Sequence, residues 1–258
     1  MSKIIAIATQ KGGVGKTTTA GALASGFKKK GFRVLAVDMD PQSNLSFSMK
    51  ADNEICATIY NVLKGEVRTQ FAIQHTPVTD IIASNVLLSG IELEFTDKGR
   101  EFLLRDALAS IREQYDYIII DSPPGIGILT VNALTAADSV VVPMLPDIFS
   151  LQGIAQLYET VENVKKRCNP RLSIAGILLA KFNPRTRIAK EVHGTAEMIS
   201  QNLGIPLFHS CIRNCVALSE AQSLQRDILE YAPKSTGVRD YLSLLEELTE
   251  GGVQVGKE

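Results

Sequence analysis

Within IATQKGGVGKTTTA, residues 7–20, three glycines separate an apolar run from a lysine and three threonines. Gly12, Gly13 and Gly15 carry no Cβ to block a tight turn, so successive backbone N–H groups can turn inward and cradle phosphate oxygens. A helix opening at Lys16 would aim the partial positive charge of its N-terminus at the same anion. The Lys16 ammonium can then reach the outer phosphates and the Thr17 hydroxyl can hold Mg²⁺, with Val14 and Thr18 completing the nucleotide-binding run. The spacing departs from G-x-x-x-x-G-K-[ST]: counting back from Gly15, the first glycine would fall at position 10, which is Gln10. Ahead of the glycines stands a second cation, Lys11. By residue type alone it is either a solvated surface lysine or a charge meant for a phosphate.

Carboxylates follow two later apolar runs. Asp38 and Asp40 end the run in VLAVDMDPQSNLS (34–46), at the place where open α/β sheets bind ligands, with Pro41 stiffening the loop. Paired aspartates after a strand also cap helices and form turns, so both readings stand. Asp121 closes the run YDYIIID (115–121) and precedes Ser-Pro-Pro-Gly. An acid at a strand terminus near a phosphate loop organises magnesium, and the two prolines would let the following segment move as a unit. Asp147, in VVVPMLPDIFSLQG (140–153), has no role that its type or spacing suggests.

These groups need a scaffold that brings loop tips together. Strands are expected at 3–8, 33–38, 78–84, 115–121, 139–144 and 172–180. Helices are expected at 16–30, 98–114, 126–137, 151–167, 187–203, 216–225 and 237–250. Alternation of the two implies a parallel sheet covered on both faces, and continuous apolar strands fit burial on both sides. One domain over 1–250 is expected, with a weakly ordered tail at 251–258. The chain has 258 residues, a net charge of −1 and 45% hydrophobic residues. Its pI is about 6.3. A whole-molecule basic field is thus excluded, and nucleic-acid binding would need a local patch. One exists: eight Lys and Arg and no acid lie between Lys165 and Lys190. It reads either as solvated surface or as a phosphate-contacting face. No eighteen-residue apolar run or signal peptide is present, and Cys56, Cys168, Cys211 and Cys215 form no C-x-x-C pair. A cytosolic chain with reduced thiols is the expectation.

KGGVGKTT, with its early lysine, resembles the deviant Walker A motif of the ParA/MinD superfamily. The similarity runs over nearly the whole chain. KFNPRTRIAKEV (181–192), CIRNCVALSEAQS (211–223) and YAPKSTGVRDYLSLLEEL (231–248) are similar to stretches of Soj-type ParA proteins. The resemblance implies a doubly wound, mostly parallel P-loop fold, ATPase activity with ATP/ADP and Mg²⁺, and a nucleotide-driven homodimer. In that dimer Lys11 would serve phosphates held by the other subunit. Asp40 would position the attacking water or a water on the metal, and Asp38 would support the magnesium shell beside Thr17 and Asp121. Ile212, where the family usually has proline, and Arg213 would lie near the adenine. Arg185, Arg187 and Arg213 would contact double-stranded DNA without sequence preference. A ParB-type centromere-binding protein would be the partner, in plasmid or chromosome segregation on the nucleoid of the cytoplasm.

Three alternatives remain at this level. A MinD-like membrane role would want a basic amphipathic end, whereas Glu246, Glu247 and Glu250 oppose anionic lipid. A metal-cluster carrier would want a thiolate pair closer than Cys211 and Cys215, four apart. A small-molecule kinase or ligase would have no use for Lys11.

Overall fold

The computed structural model describes residues 2–250; the expected tail at 251–258 lies outside them. Seven strands join one sheet: β1 (Lys3–Ile7), β2 (Val34–Asp38), β3 (Ile73–His75), β4 (Asp80–Ile82), β5 (Tyr117–Asp121), β6 (Ser139–Met144) and β7 (Ser173–Leu179). Their order is β3-β4-β2-β5-β1-β6-β7. Every pairing is parallel except the edge pair β3–β4. The helices are α1 (Lys16–Lys29), α2 (Asn44–Ser48), α3 (Ile59–Leu63), α4 (Ile91–Glu94), α5 (Leu103–Ala109) and α6 (Ile128–Ala136). They continue as α7 (Ile148–Arg167), α8 (Arg187–Leu203), α9 (Val216–Ser223), α10 (Ile228–Tyr231) and α11 (Thr236–Glu250).

The period of two in a strand divides each apolar run between two cores. In β1, Ile4 and Ala6 pack with residues of α3, α5, α6, α7 and α8, while Ile5 and Ile7 pack with α1, α9, α10 and α11. Burying one such Ile or Leu contributes roughly 1.5–3 kcal/mol, which is why the interior positions of β1, β2, β5 and β6 are apolar. On the second face α1 and α11 approach closely. A Cβ added at Gly26 would collide with Leu245 Cδ1, and Phe27 stacks on Tyr117 with ring centroids 3.8 Å apart.

Three local expectations are corrected. The helix expected at 98–114 is broken: a 3₁₀ turn at Arg100–Phe102, then α5, then another at Arg112–Gln114. Asn132 of α6 takes the Leu104 N–H and donates to the Arg100 carbonyl, so tertiary bonds replace the helical bonds that would have joined the pieces. The strand expected at 78–84 shrinks to β4, because its edge partner β3 is only three residues long and antiparallel. Finally, α2, α3 and β3 lie in a stretch whose periodicity predicts no element. Each is five residues or fewer, too short to show a period.

Candidate nucleotide site

Parallel strands deliver their carboxyl ends to one rim, where the candidate groups of the first two thirds of the chain stand, with Arg185 and Arg187 in and just after the loop that leaves β7. Residues 8–15 leave β1, with Gly13 at φ 70 and Gly15 at φ 101, left-handed conformations that a side chain would oppose. No backbone N–H of residues 12–18 is bonded to another described residue. An anion-shaped nest of unsatisfied donors results, at the start of α1.

Lys16 is buried, 6% exposed, and its Nζ donates to the Lys11 carbonyl at 3.3 Å. Burial lowers its pKa, and the charges of Asp121 and Asp40 work against that shift. Asp121 is wholly buried and neither carboxylate oxygen accepts a hydrogen bond among the described residues. Burial, then the charge of Asp38, holds its pKa well above the usual carboxylate range. The Thr17 side chain stands near enough to ease that penalty without closing a bond of normal geometry. Two orphaned buried carboxylate oxygens beside a threonine hydroxyl fit a divalent cation, which would supply the missing partner. No group of three or more His, Cys, Asp or Glu among the described residues could hold a metal alone. Mg²⁺ takes one or two carboxylates together with phosphate and water oxygens.

The other two aspartates are differently engaged. Asp38 is in register with Asp121 across β2 and β5. Its Oδ1 accepts the Asp40 N–H at 3.0 Å, and its Oδ2 accepts the Ser46 N–H at 2.9 Å and the Ser46 hydroxyl at 2.7 Å. Burial raises its pKa to about 6, those bonds pulling the other way. Such saturation makes it the organiser of the 38–46 turn. Asp40 keeps more freedom: one oxygen accepts the Gln42 N–H at 3.0 Å, and the residue lines the cavity beside the glycines. The Ser-Pro-Pro-Gly segment hangs from β1, through Ser122 Oγ to the Ile7 carbonyl at 2.8 Å and Gly125 N–H to the Gln10 carbonyl at 3.0 Å.

Lys11 lies at the mouth of the loop, and Asp147 gains a role no sequence signal showed. Its Oδ2 accepts Lys11 Nζ at 2.8 Å, while its Oδ1 caps α7 through the Ser150 N–H at 2.8 Å. Partial burial pushes the Asp147 carboxyl up, but the bonds from Lys11 and Ser150 outweigh it and hold its pKa below the ordinary value.

The glycine loop opens on a cavity of about 500 Å³, with Phe47, Pro124, Lys181, Ser219 and Gln222 on its other walls. Of these, Phe47, Ser219 and Gln222 carried no signal in the sequence, whereas Pro124 lies in the Ser-Pro-Pro-Gly segment and Lys181 in the basic stretch. Ser219 and Gln222 are three apart on α9, one helix face, and Gln222 accepts the Thr18 hydroxyl at 3.2 Å. Ile212 and Arg213 do not line this cavity. Ile212 is buried against β7, its N–H on the Leu179 carbonyl, and the Arg213 guanidinium forms a two-pronged pair with Asp240, at 2.6 Å and 3.0 Å. Arg185 and Arg187 are exposed in and just after the β7–α8 loop, Arg187 pairing with Glu191 at 3.0 Å.

A family model described as an AAA domain matches residues 2–174. The chain is 41% identical over 258 residues to the sporulation initiation inhibitor protein Soj of Bacillus subtilis (strain 168), covering 98% of this chain and 100% of that one. It is 40% identical over 252 residues to the chromosome partitioning protein ParA of Caulobacter vibrioides, covering 95% and 93%. Among solved structures, cobyrinic acid a,c-diamide synthase from Mycobacterium smegmatis with bound ADP and magnesium superposes with a TM-score of 0.85 at 31% identity, over 97% of this chain and 95% of that. A glycine loop with an early lysine, set in this sheet, in a chain about 40% identical to Soj and ParA over nearly its whole length, leaves one placement: the chain belongs to the ParA/Soj family of chromosome-partitioning ATPases.

Proposed function

We propose that this chain is an ATP-dependent partition ATPase, its residues 1–250 forming one P-loop domain. The carrying observation is Asp121: a buried acid with both oxygens bare, beside Thr17 and Lys16 at the foot of an unsatisfied N–H nest. In this reading ATP and ADP occupy the 500 Å³ cavity, with phosphates on residues 12–18 and the base side toward Ser219 and Gln222. Thr17 and Asp121 would hold Mg²⁺, with Asp40 reaching it through water, and the bound ion would supply charge withdrawal from the phosphates. Lys16 neutralises the same charge from within the loop. Asp40, at the cavity wall, orients the attacking water.

Lys11 supplies a cation in trans when two MgATP-bound protomers close face to face. In the single protomer it is held by Asp147, so closure exchanges one carboxylate for the partner's phosphates. The closed dimer binds double-stranded DNA through Arg185 and Arg187 from each subunit, without reading sequence. A ParB-type protein speeds hydrolysis and release, and the chain works on the nucleoid in the cytoplasm. Arg213 serves the fold through Asp240 more than the DNA. A membrane role is disfavoured by α11, whose Val238, Tyr241, Leu244, Leu245 and Leu248 are packed into the core, and no described helix is long and apolar enough to cross a bilayer.

The test is Lys11→Ala beside wild type, followed by light scattering with ATP or ADP, a turnover assay and DNA binding. Wild type should dimerise and bind DNA only with ATP. The variant should bind ATP yet dimerise poorly and hydrolyse slowly. Full stimulated turnover in Lys11→Ala, or a wild type that stays monomeric with ATP, overturns the reading.

A further inference from the structure

Lys181 follows β7 in a left-handed conformation, φ 51, one of only four described non-glycine residues with positive φ. Its backbone is forced there from both sides. The Ala180 N–H is tied to the Met144 carbonyl at 2.8 Å and the Phe182 N–H to the Ile212 carbonyl at 2.9 Å, so the residue between must turn. A lysine in this region is strained, and strain held by pinned neighbours marks a functional position. The turn sends the side chain across the nucleotide cavity wall to the glycine loop, where Nζ donates to the Gly13 carbonyl at 2.8 Å.

That carbonyl belongs to the planar Gly13–Val14 peptide. No described peptide bond is cis, so its C=O and N–H point to opposite sides. With the oxygen turned out to Lys181, the Val14 N–H is turned the other way, and it has no partner among the described residues. Gly13, at φ 70, would otherwise let this peptide rotate. We infer that Lys181 is a positioning residue of the phosphate site: by holding the Gly13 carbonyl it fixes the rotation of the Gly13–Val14 peptide and with it the set of loop N–H groups offered to phosphate. Lys16 holds the Lys11 carbonyl in the same loop, so the loop is fastened at two carbonyls by two lysines far apart in the chain. Nothing in the sequence signals that role for the second of them.

The inference rests on nucleotide binding at this loop, and the experiment separates the two. Lys181→Met keeps the aliphatic stem and removes the ammonium, Lys181→Arg keeps a donor, and Lys181→Gly removes the ammonium and the strain together. Nucleotide affinity and release are measured with a fluorescent ADP and ATP, kcat and KM by turnover, and the Gly13 and Val14 amides by ¹⁵N NMR. Lys181→Met should weaken ADP and ATP alike by about tenfold, the scale of one charge-assisted hydrogen bond. KM should rise with kcat nearly unchanged, the mark of lost uniform binding. Lys181→Arg should restore most of the affinity. Lys181→Gly should lose it like Met while its Tm stays at or above wild type. The Val14 amide should broaden or shift in the Met and Gly variants without nucleotide. Wild-type affinity in Lys181→Met overturns the inference. So does a fall in kcat with unchanged ADP release, which would put the ammonium on the reacting phosphate. A wild type that binds neither nucleotide overturns the functional reading instead.

Discussion

Lys16 and Asp121 are each other's compensation. Both are buried, the lysine's charge is disfavoured by burial, and the acid's oxygens have no donor. The arrangement is costly alone and becomes favourable once phosphate and a divalent cation complete it. Lys16→Ala should therefore do two things. Losing a charged hydrogen-bond donor costs about 1.5–3 kcal/mol or more of phosphate binding, so ATP affinity should fall at least tenfold in a calorimetric titration. The protein without nucleotide should not lose stability comparably, since among the described residues the ammonium's one hydrogen bond is a 3.3 Å contact with the Lys11 carbonyl. Retained micromolar ATP binding would remove Lys16 from the site.

At the scale of elements, α7 and α1 show how the frame holds the loop. Asp147 caps α7 and also binds Lys11, and two substitutions separate the roles. Asp147→Asn keeps an acceptor for the Ser150 N–H and should change stability by less than about 0.5 kcal/mol, as exposed ion pairs contribute little. Asp147→Ala loses the cap and should cost about 1 kcal/mol by urea denaturation. Because the folded-state pKa of Asp147 is depressed, its contribution is present above the unfolded value and is lost as pH falls through the folded one. The gap between wild type and Asp147→Ala should accordingly shrink below about pH 4; a gap that widens there would contradict the assignment. Gly26→Ala probes the other side of the sheet. Alanine is the better helix former by about 1 kcal/mol, yet its Cβ would collide with Leu245 Cδ1. Overpacking of this kind costs about 1–3 kcal/mol, so a lowered Tm is expected. A raised Tm would mean that Leu245 and α11 move aside freely.

For the whole molecule, charge placement decides the DNA reading. With a net charge of −1, affinity for a polyanion must come from a local face. Arg185 and Arg187 are exposed near the same rim as the glycine loop, and a face-to-face dimer would present both pairs. Each phosphate contact adds about 0.9 to the slope of log affinity against log salt, so replacing both by Glu should flatten the slope by up to about 3–4 units. Unrelated duplexes should be affected equally, since phosphate contacts carry no sequence information. The measurement is a salt titration with ATP saturating. Arg213→Ala should instead lower Tm, because it leaves the part-buried Asp240 unpaired. An unchanged slope for the Arg185 and Arg187 variant would move the DNA face elsewhere.

What the sequence determined by itself lies mostly in contiguous stretches. Glycines 12, 13 and 15 before Lys16-Thr17 made a phosphate loop legible because the ligand-binding atoms are backbone groups of consecutive residues. Continuous apolar runs ending in Asp38 and Asp121 made parallel strands legible because burial on both faces leaves no other composition. The short edge elements were not legible, since three to five residues carry no period and are held by their neighbours. Asp147 and Lys181 became functional candidates only in the folded chain. Their partners, Lys11 and Gly13, are 136 and 168 residues away, joined by parallel strands that end on one rim. Ile212 and Arg213, in the stretch resembling a base-contact segment, are held by the Leu179 carbonyl of β7 and by Asp240, partners that their place in the chain did not show. Local chemistry is written in order along the chain, whereas which loop tip meets which is decided by strand order, and strand order follows from packing two apolar faces at once.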